Sequence, residues 1–182
     1  MWTQPQRWVR RIGTVSCLVM VSFGAASPAR AQEPQPSTFI KDVAKAVALD
    51  PTTYAPAIIS YDATVRDWKT SQPLFRNGYL EQNPRYTTSG LPYDAPLTYS
   101  DGNRRIMFDT LTNLGTSAVH NAFERSLERG LVTRYPQHRK LIGALGWAER
   151  ISFSVGMSYV LSIEHYRQAE SNAAQAAALG LR

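Results

Sequence analysis

The side chains able to do chemistry in this 182-residue chain are few and scattered: Asp67 and Thr70, Glu81 and Asn83, His120, Glu149 and His165. Carboxylates and imidazoles are the groups that exchange protons or attract cations near neutral pH. Brought together, these seven would make a polar binding or acid–base site. No short motif orders them, however. The chain lacks G-x-S-x-G and H-E-x-x-H, and none of its glutamates has a histidine three residues later. Gly143-Ala144-Leu145-Gly146 lacks the Lys-Ser/Thr of a phosphate loop. The sequence therefore assigns no catalytic residue, no metal ligand and no cofactor.

Each candidate also has a structural reading. Glu81 and Asn83 follow Gly78 in a turn and can cap it. Asp67 can pair with Arg139 or Arg150 on another helix. His120 and Glu124 form an ordinary i,i+4 pair. His165 continues a seam of Ser154, Ser158 and Ser162, where a helix-packing hydrogen bond accounts for it. The acids nearest to it in sequence, Glu164 and Glu170, do not share its face.

The elements that must position these groups are helical. Phe39, Ile40, Val43 and Val47 recur at helical spacing behind a Ser37 cap, and Asp50-Pro51-Thr52-Thr53 breaks that short helix and caps the next. A long helix is expected from Tyr54 to Asn77, with Ile58, Tyr61, Val65, Trp68, Gln72 and Phe75 as its buried stripe. Pro73 should kink or end it, and Gly78 suits a left-handed C′ position. The Tyr-, Pro- and Gly-rich stretch from Arg85 to Asn103 reads as a loop that is either functional or held on the surface by Tyr86, Tyr93 and Tyr99. A second long helix opens near Ser100 or Asp101 and closes at Gly130, burying Met107, Leu111, Leu114, Ala118, Ala122 and Phe123. A third starts at Tyr135-Pro136, with Leu141, Leu145, Ala148, Val155, Tyr159 and Tyr166 on one stripe and Phe153, Met157 and Leu161 opposite. The expectation is an all-α fold: a small bundle of three long helices plus a short N-terminal helix.

Arg7, Arg10 and Arg11, the apolar stretch from Ile12 to Ala26 and Ala29-Arg30-Ala31 have the layout of a cleaved secretory signal. The expected organisation is a signal over residues 1–31, a disordered lead over 32–37, one helical domain over 38–168 and an alanine-rich tail over 169–182. Of 20 Lys+Arg, four Arg lie in the signal, which leaves 16 against 14 acids, or +2. The basic pI thus does not indicate a nucleic-acid partner. The single cysteine, Cys17, lies in the signal too, so the exported part has neither a disulfide nor a cysteine metal site.

Residues 141–163 have the length of a bilayer span, but Glu149 and Arg150 sit near their middle, where a charge costs about 2.5–3.5 kcal/mol. Asp67-x-x-Thr70 followed by Gly78-x-x-Glu81-x-Asn83-Pro84 resembles a helix–turn signature of small uncharacterised bacterial membrane proteins. Tyr135-Pro136-x-His138-Arg139 and Leu145-Gly146-Trp147 are similar to segments of uncharacterised exported proteins. The resemblance implies envelope location and brings no activity or catalytic residues with it.

The leading reading is an exported, periplasmic or membrane-associated structural or interaction protein, non-enzymatic, whose partner is another envelope protein or the membrane surface. One alternative is an envelope enzyme or ligand-binding protein with a polar site around Asp67, Glu81 and the histidines. A second is a small membrane-embedded bundle.

Overall fold

A computed structural model describes residues 36–181. The expected signal (1–31) and most of the expected lead lie outside the described residues. The described chain is all-α: α1 (Pro36–Leu49), α2 (Pro51–Arg76), α3 (Tyr99–Arg134) and α4 (Arg139–Ala178), with 3-10 turns at Pro84–Tyr86 and Pro136–His138. Among the described residues there is no strand, and two isolated bridges, Glu81 to Asp94 and Thr87 to Pro96, occur in the α2–α3 loop.

α1 starts at Pro36, so the lead ends two residues earlier than expected and Ser37 falls inside the helix. Asp50 caps α2, its carboxylate accepting from the backbone N–H and the hydroxyl of Thr52 at 3.1 and 2.7 Å. Pro51 follows, pre-set for a first helical position. Pro73 does not end α2, which continues through Arg76; Gly78 then takes the left-handed conformation at φ 84°. Thr98 caps α3, which runs past Gly130 to Arg134. α4 continues through the expected tail as far as Ala178.

α2, α3 and α4 form an up–down–up bundle. Asn113 meets Ser60, and Asn121 meets Thr52 and Thr53, so α3 runs against α2. Asp50 meets Arg150 and Asp67 meets His165, so α4 runs along α2 in the same direction.

The expected stripe of α2 is buried at Trp68 and partly buried at Val65 and Phe75, but over the rest of the bundle the buried faces are not the expected ones. Ile58, Tyr61, Met107, Leu111, Phe123, Leu141, Leu145, Val155 and Tyr159 point outward, with Ile58 64%, Phe123 65% and Val155 63% exposed. The inward face carries Ser60, Thr64 and Ser71 of α2, Ser117 and Asn121 of α3, and Arg150, Ser154, Ser158 and Ser162 of α4. Small hydroxyl and amide side chains let helices approach closely and bond across the seam. Hydrophobic periodicity identifies which residues share a face, and says nothing of which face turns inward. Among the described residues no helix is long and apolar enough to cross a membrane.

One compact apolar cluster lies at the loop end of the bundle: Trp68, Tyr86 and Ile106, flanked by Val65, Phe75 and Leu97. The Trp68 ring stacks obliquely on Tyr86 and Phe75 at 5.6 and 5.7 Å between centroids. Gly102 is required here, since a Cβ at that position would lie 2.1 Å from Trp68 Cζ2. Tyr86 alone among the three loop tyrosines anchors the loop; Tyr93 and Tyr99 are exposed.

Candidate functional site

Because α2 and α4 run in parallel, polar residues 98 to 105 positions apart meet across their seam. Asp67 Oδ2 lies 2.8 Å from His165 Nδ1. Asp67 Oδ1 accepts from Asn172 Nδ2 at 3.1 Å, and the same amide donates to Ser71 Oγ at 2.8 Å. Gln168 donates to Asn172 Oδ1 at 2.8 Å. The partner of Asp67 is therefore His165; Arg150, a partner expected for it, is committed elsewhere in the bundle.

The loop after α2 forms the facing wall. Glu81 Oε1 accepts from the backbone N–H of Asn83 at 2.7 Å, and Asn83 Oδ1 accepts from that of Arg85 at 3.1 Å. Both side chains thus fasten the turn and also line a cleft of about 260 Å³ together with Asp67, His165, Asn172, Gln168, Phe75 and Tyr79. Burial pushes the Glu81 carboxyl above its ordinary value, and the Asp67 charge adds to this, against hydrogen bonds from the Asn83 and Gln82 backbone and the pull of His165. Among the described residues no lysine or arginine lines this cleft. Glu164 on its rim is paired with Arg167 at 2.8 Å. A smaller recess of about 20 Å³, room for one water, adjoins it and is lined by Trp68, Thr64 and Tyr86. The indole N–H of Trp68 is buried without a partner among the described residues.

The arrangement can orient an imidazole and accept hydrogen bonds. The hydroxyls beside the dyad, on Thr64 and Ser71, donate to the backbone carbonyls of Ser60 and Asp67 at 2.7 and 2.8 Å.

The remaining sequence candidates are not brought to this cleft. Thr70 donates to the Arg66 and Asp67 carbonyls within α2. His120 and Glu149 meet nearer the other end of the bundle, Nε2 to Oε2 at 3.1 Å, with Glu124 beside them. Burial and the facing Glu149 push the Glu124 carboxyl upward, against the pull of His120 and Arg150.

The sequence reading missed Asn172, Gln168 and Ser71. The signal was present: the seam of Ser154, Ser158, Ser162 and His165 continues at spacings of 3 and 4 through Ala169, Asn172 and Ala176, all but His165 buried. Also missed was an ionic knot between α2, α3 and α4. Asp50 Oδ2 binds Arg125 Nη2 at 2.9 Å and Arg150 Nε at 3.0 Å, and Glu128 Oε2 binds Arg150 Nη1 at 3.0 Å. Arg150 is 1% exposed. Burial pushes the Asp50 carboxyl up, but the Thr52 and Arg125 hydrogen bonds outweigh it and hold the pKa below the ordinary value.

Comparison with protein-family models, curated proteins and solved structures finds no match to this chain.

Proposed function

We propose that this is an exported envelope protein that binds a small cationic, hydrogen-bonding ligand in the cleft between α2, its following loop and the C-terminal half of α4. The observation that carries the reading is the convergence of Asp67, Glu81, His165 and Asn172 from three chain segments on one cleft that no lysine or arginine among the described residues lines. Two carboxylates against one imidazole favour a positive group, and the Phe75 and Tyr79 rings in the wall suit an ammonium or guanidinium. Binding rather than turnover fits the engagement of the Thr64 and Ser71 hydroxyls beside the dyad with backbone carbonyls.

Thermal unfolding with arginine, agmatine and spermidine, and with succinate as the anionic control, tests this. A cationic probe should raise the midpoint of the wild-type chain and not that of an Asp67→Asn, Glu81→Gln double variant. The proposal is overturned if succinate serves as well, if the double variant responds equally, or if no cationic probe shifts the midpoint.

The outward apolar faces favour a second reading, in which the bundle works while embedded in or pressed against the membrane. Exposed positions of α3 from Met107 to Gly130 are all uncharged, and those of α4 from Leu141 to Ile163 carry only Glu149. Such extended apolar surfaces accompany membrane or partner contact. A chain that stays monomeric in detergent-free buffer would sink this reading and leave the cleft reading intact.

A further inference from the structure

Away from the cleft, α3 and α4 bring a nitrogen and two carboxylates to one point. We propose that His120, Glu124 and Glu149 form a binding site for a divalent transition-metal ion of the zinc type, tying α3 to α4. One potential ligand atom from each of the three lies within 4.8 Å of the others. His120 and Glu124 stand one turn apart on α3, and Glu149 reaches over from α4 with Oε2 3.1 Å from His120 Nε2.

Three features make this more than a chance meeting of surface acids. The His120 ring is stacked on Phe153 at 3.6 Å and 12°, so its Nε2 is held toward Glu149 rather than free to swing. No hydrogen bond or ion pair among the described residues engages the half-buried Glu124 carboxylate. The nearby guanidinium groups are committed: Arg125 and Arg150 bind Asp50 and Glu128 instead. Two carboxylates thus face each other with only a histidine between them. A cation supplies the missing charge.

One imidazole and two carboxylates match the nitrogen–oxygen donor set of zinc sites that keep an outer position for water. An imidazole in the set favours zinc, nickel or iron over magnesium or calcium. Partial exposure of His120 and Glu149, whose side chains are 21% and 43% accessible, gives an ion a path from solution. A metal tie would fasten α4 to α3 beside a shallow apolar groove lined by Leu127, Leu131, Ile142 and Leu145.

The test uses the purified full chain, stripped with chelator and titrated with Zn²⁺ in calorimetry and thermal unfolding. One equivalent should bind, and zinc at about 100 times its Kd should raise the midpoint by about 5 °C or more. His120→Asn and Glu149→Gln should each weaken binding by at least about tenfold. Glu124→Gln should do the same, yet unfold no earlier than wild type without metal, since it removes a like-charge contact; this separates a ligand from a merely structural residue. His165→Gln should leave zinc binding unchanged. The proposal is overturned if zinc neither binds nor shifts the midpoint, if the three variants bind as wild type does, or if Mg²⁺ and Ca²⁺ bind as tightly as Zn²⁺.

Discussion

The ionic knot and the cleft sit on the same α2–α4 seam and use the same kinds of group, yet their charges are balanced differently. At Asp50 the carboxylate meets two permanent guanidinium cations, and Glu128 takes the second arm of Arg150. At Asp67 the partner is a single imidazole in place of two guanidinium groups, and Glu81 faces the pair without a cation of its own. The first arrangement is closed and held by fixed charge. The second has acceptor capacity left over, which is what a binding site needs and a structural lock does not. The contrast separates a closed, charge-balanced lock at one end of the seam from the site proposed for recognition at the other.

Removing Arg150 should break the closed end most severely. Asp50 and Glu128 would both lose the fully buried guanidinium and keep only the partly exposed Arg125, and deleting one partner of a buried pair costs about 3–5 kcal/mol. Arg150→Met is expected to lower the urea midpoint accordingly. A cost below about 1 kcal/mol for Arg150→Met would refute the idea that this end carries the stability.

The same operation at the open end should cost less. His165→Leu deletes the Asp67 hydrogen bond, but both groups retain some access to water and Asn172 still satisfies Asp67. A loss of about 1–2 kcal/mol is expected by urea unfolding, from a hydrogen bond to a charged group. Equal losses for His165→Leu and Arg150→Met would erase the distinction between lock and site.

How much of this was readable in the chain follows from what each signal measures. The helices were legible from 3- and 4-residue spacings, the break at Asp50-Pro51 and the left-handed Gly78 from local chemistry. Asp67, Glu81, Asn83 and His165 stood out because polar groups at a helix edge and in a tight turn have few local partners. Their meeting was not legible, since it depends on α2 and α4 running in parallel, and no local residue encodes that direction. The exchange of faces away from Trp68 had the same cause. Ile58 and Val155 mark a stripe in the sequence; that Ser60 and Ser154 take the inside is decided by Arg150 and Asn121, whose partners lie 100 and about 68 residues away.

The smallest predicted effect is the most diagnostic, because acid should move the two ends in opposite directions. The Asp50 pKa is lowered in the folded chain, so its contribution is present above the ordinary 3.8 and is lost as pH falls through the lower folded value. The Glu81 pKa is raised, so the folded chain holds that proton more tightly than the unfolded one. Its contribution is complete below the ordinary 4.5 and disappears as pH rises through the folded value. Glu81→Gln keeps an oxygen to accept from the Asn83 N–H while removing the charge that burial and Asp67 oppose. It should therefore stabilise the chain near neutral pH by less than about 1 kcal/mol. It should also remove the part of the stability that wild type gains between neutrality and pH 4.5, leaving the Asp50-dependent loss at lower pH in place. Denaturant midpoints of both chains across pH 3 to 8 provide the measurement. Glu81→Gln and wild-type curves that stay parallel through the whole range would mean that the open end carries no uncompensated carboxylate, and the cleft would then be a second lock.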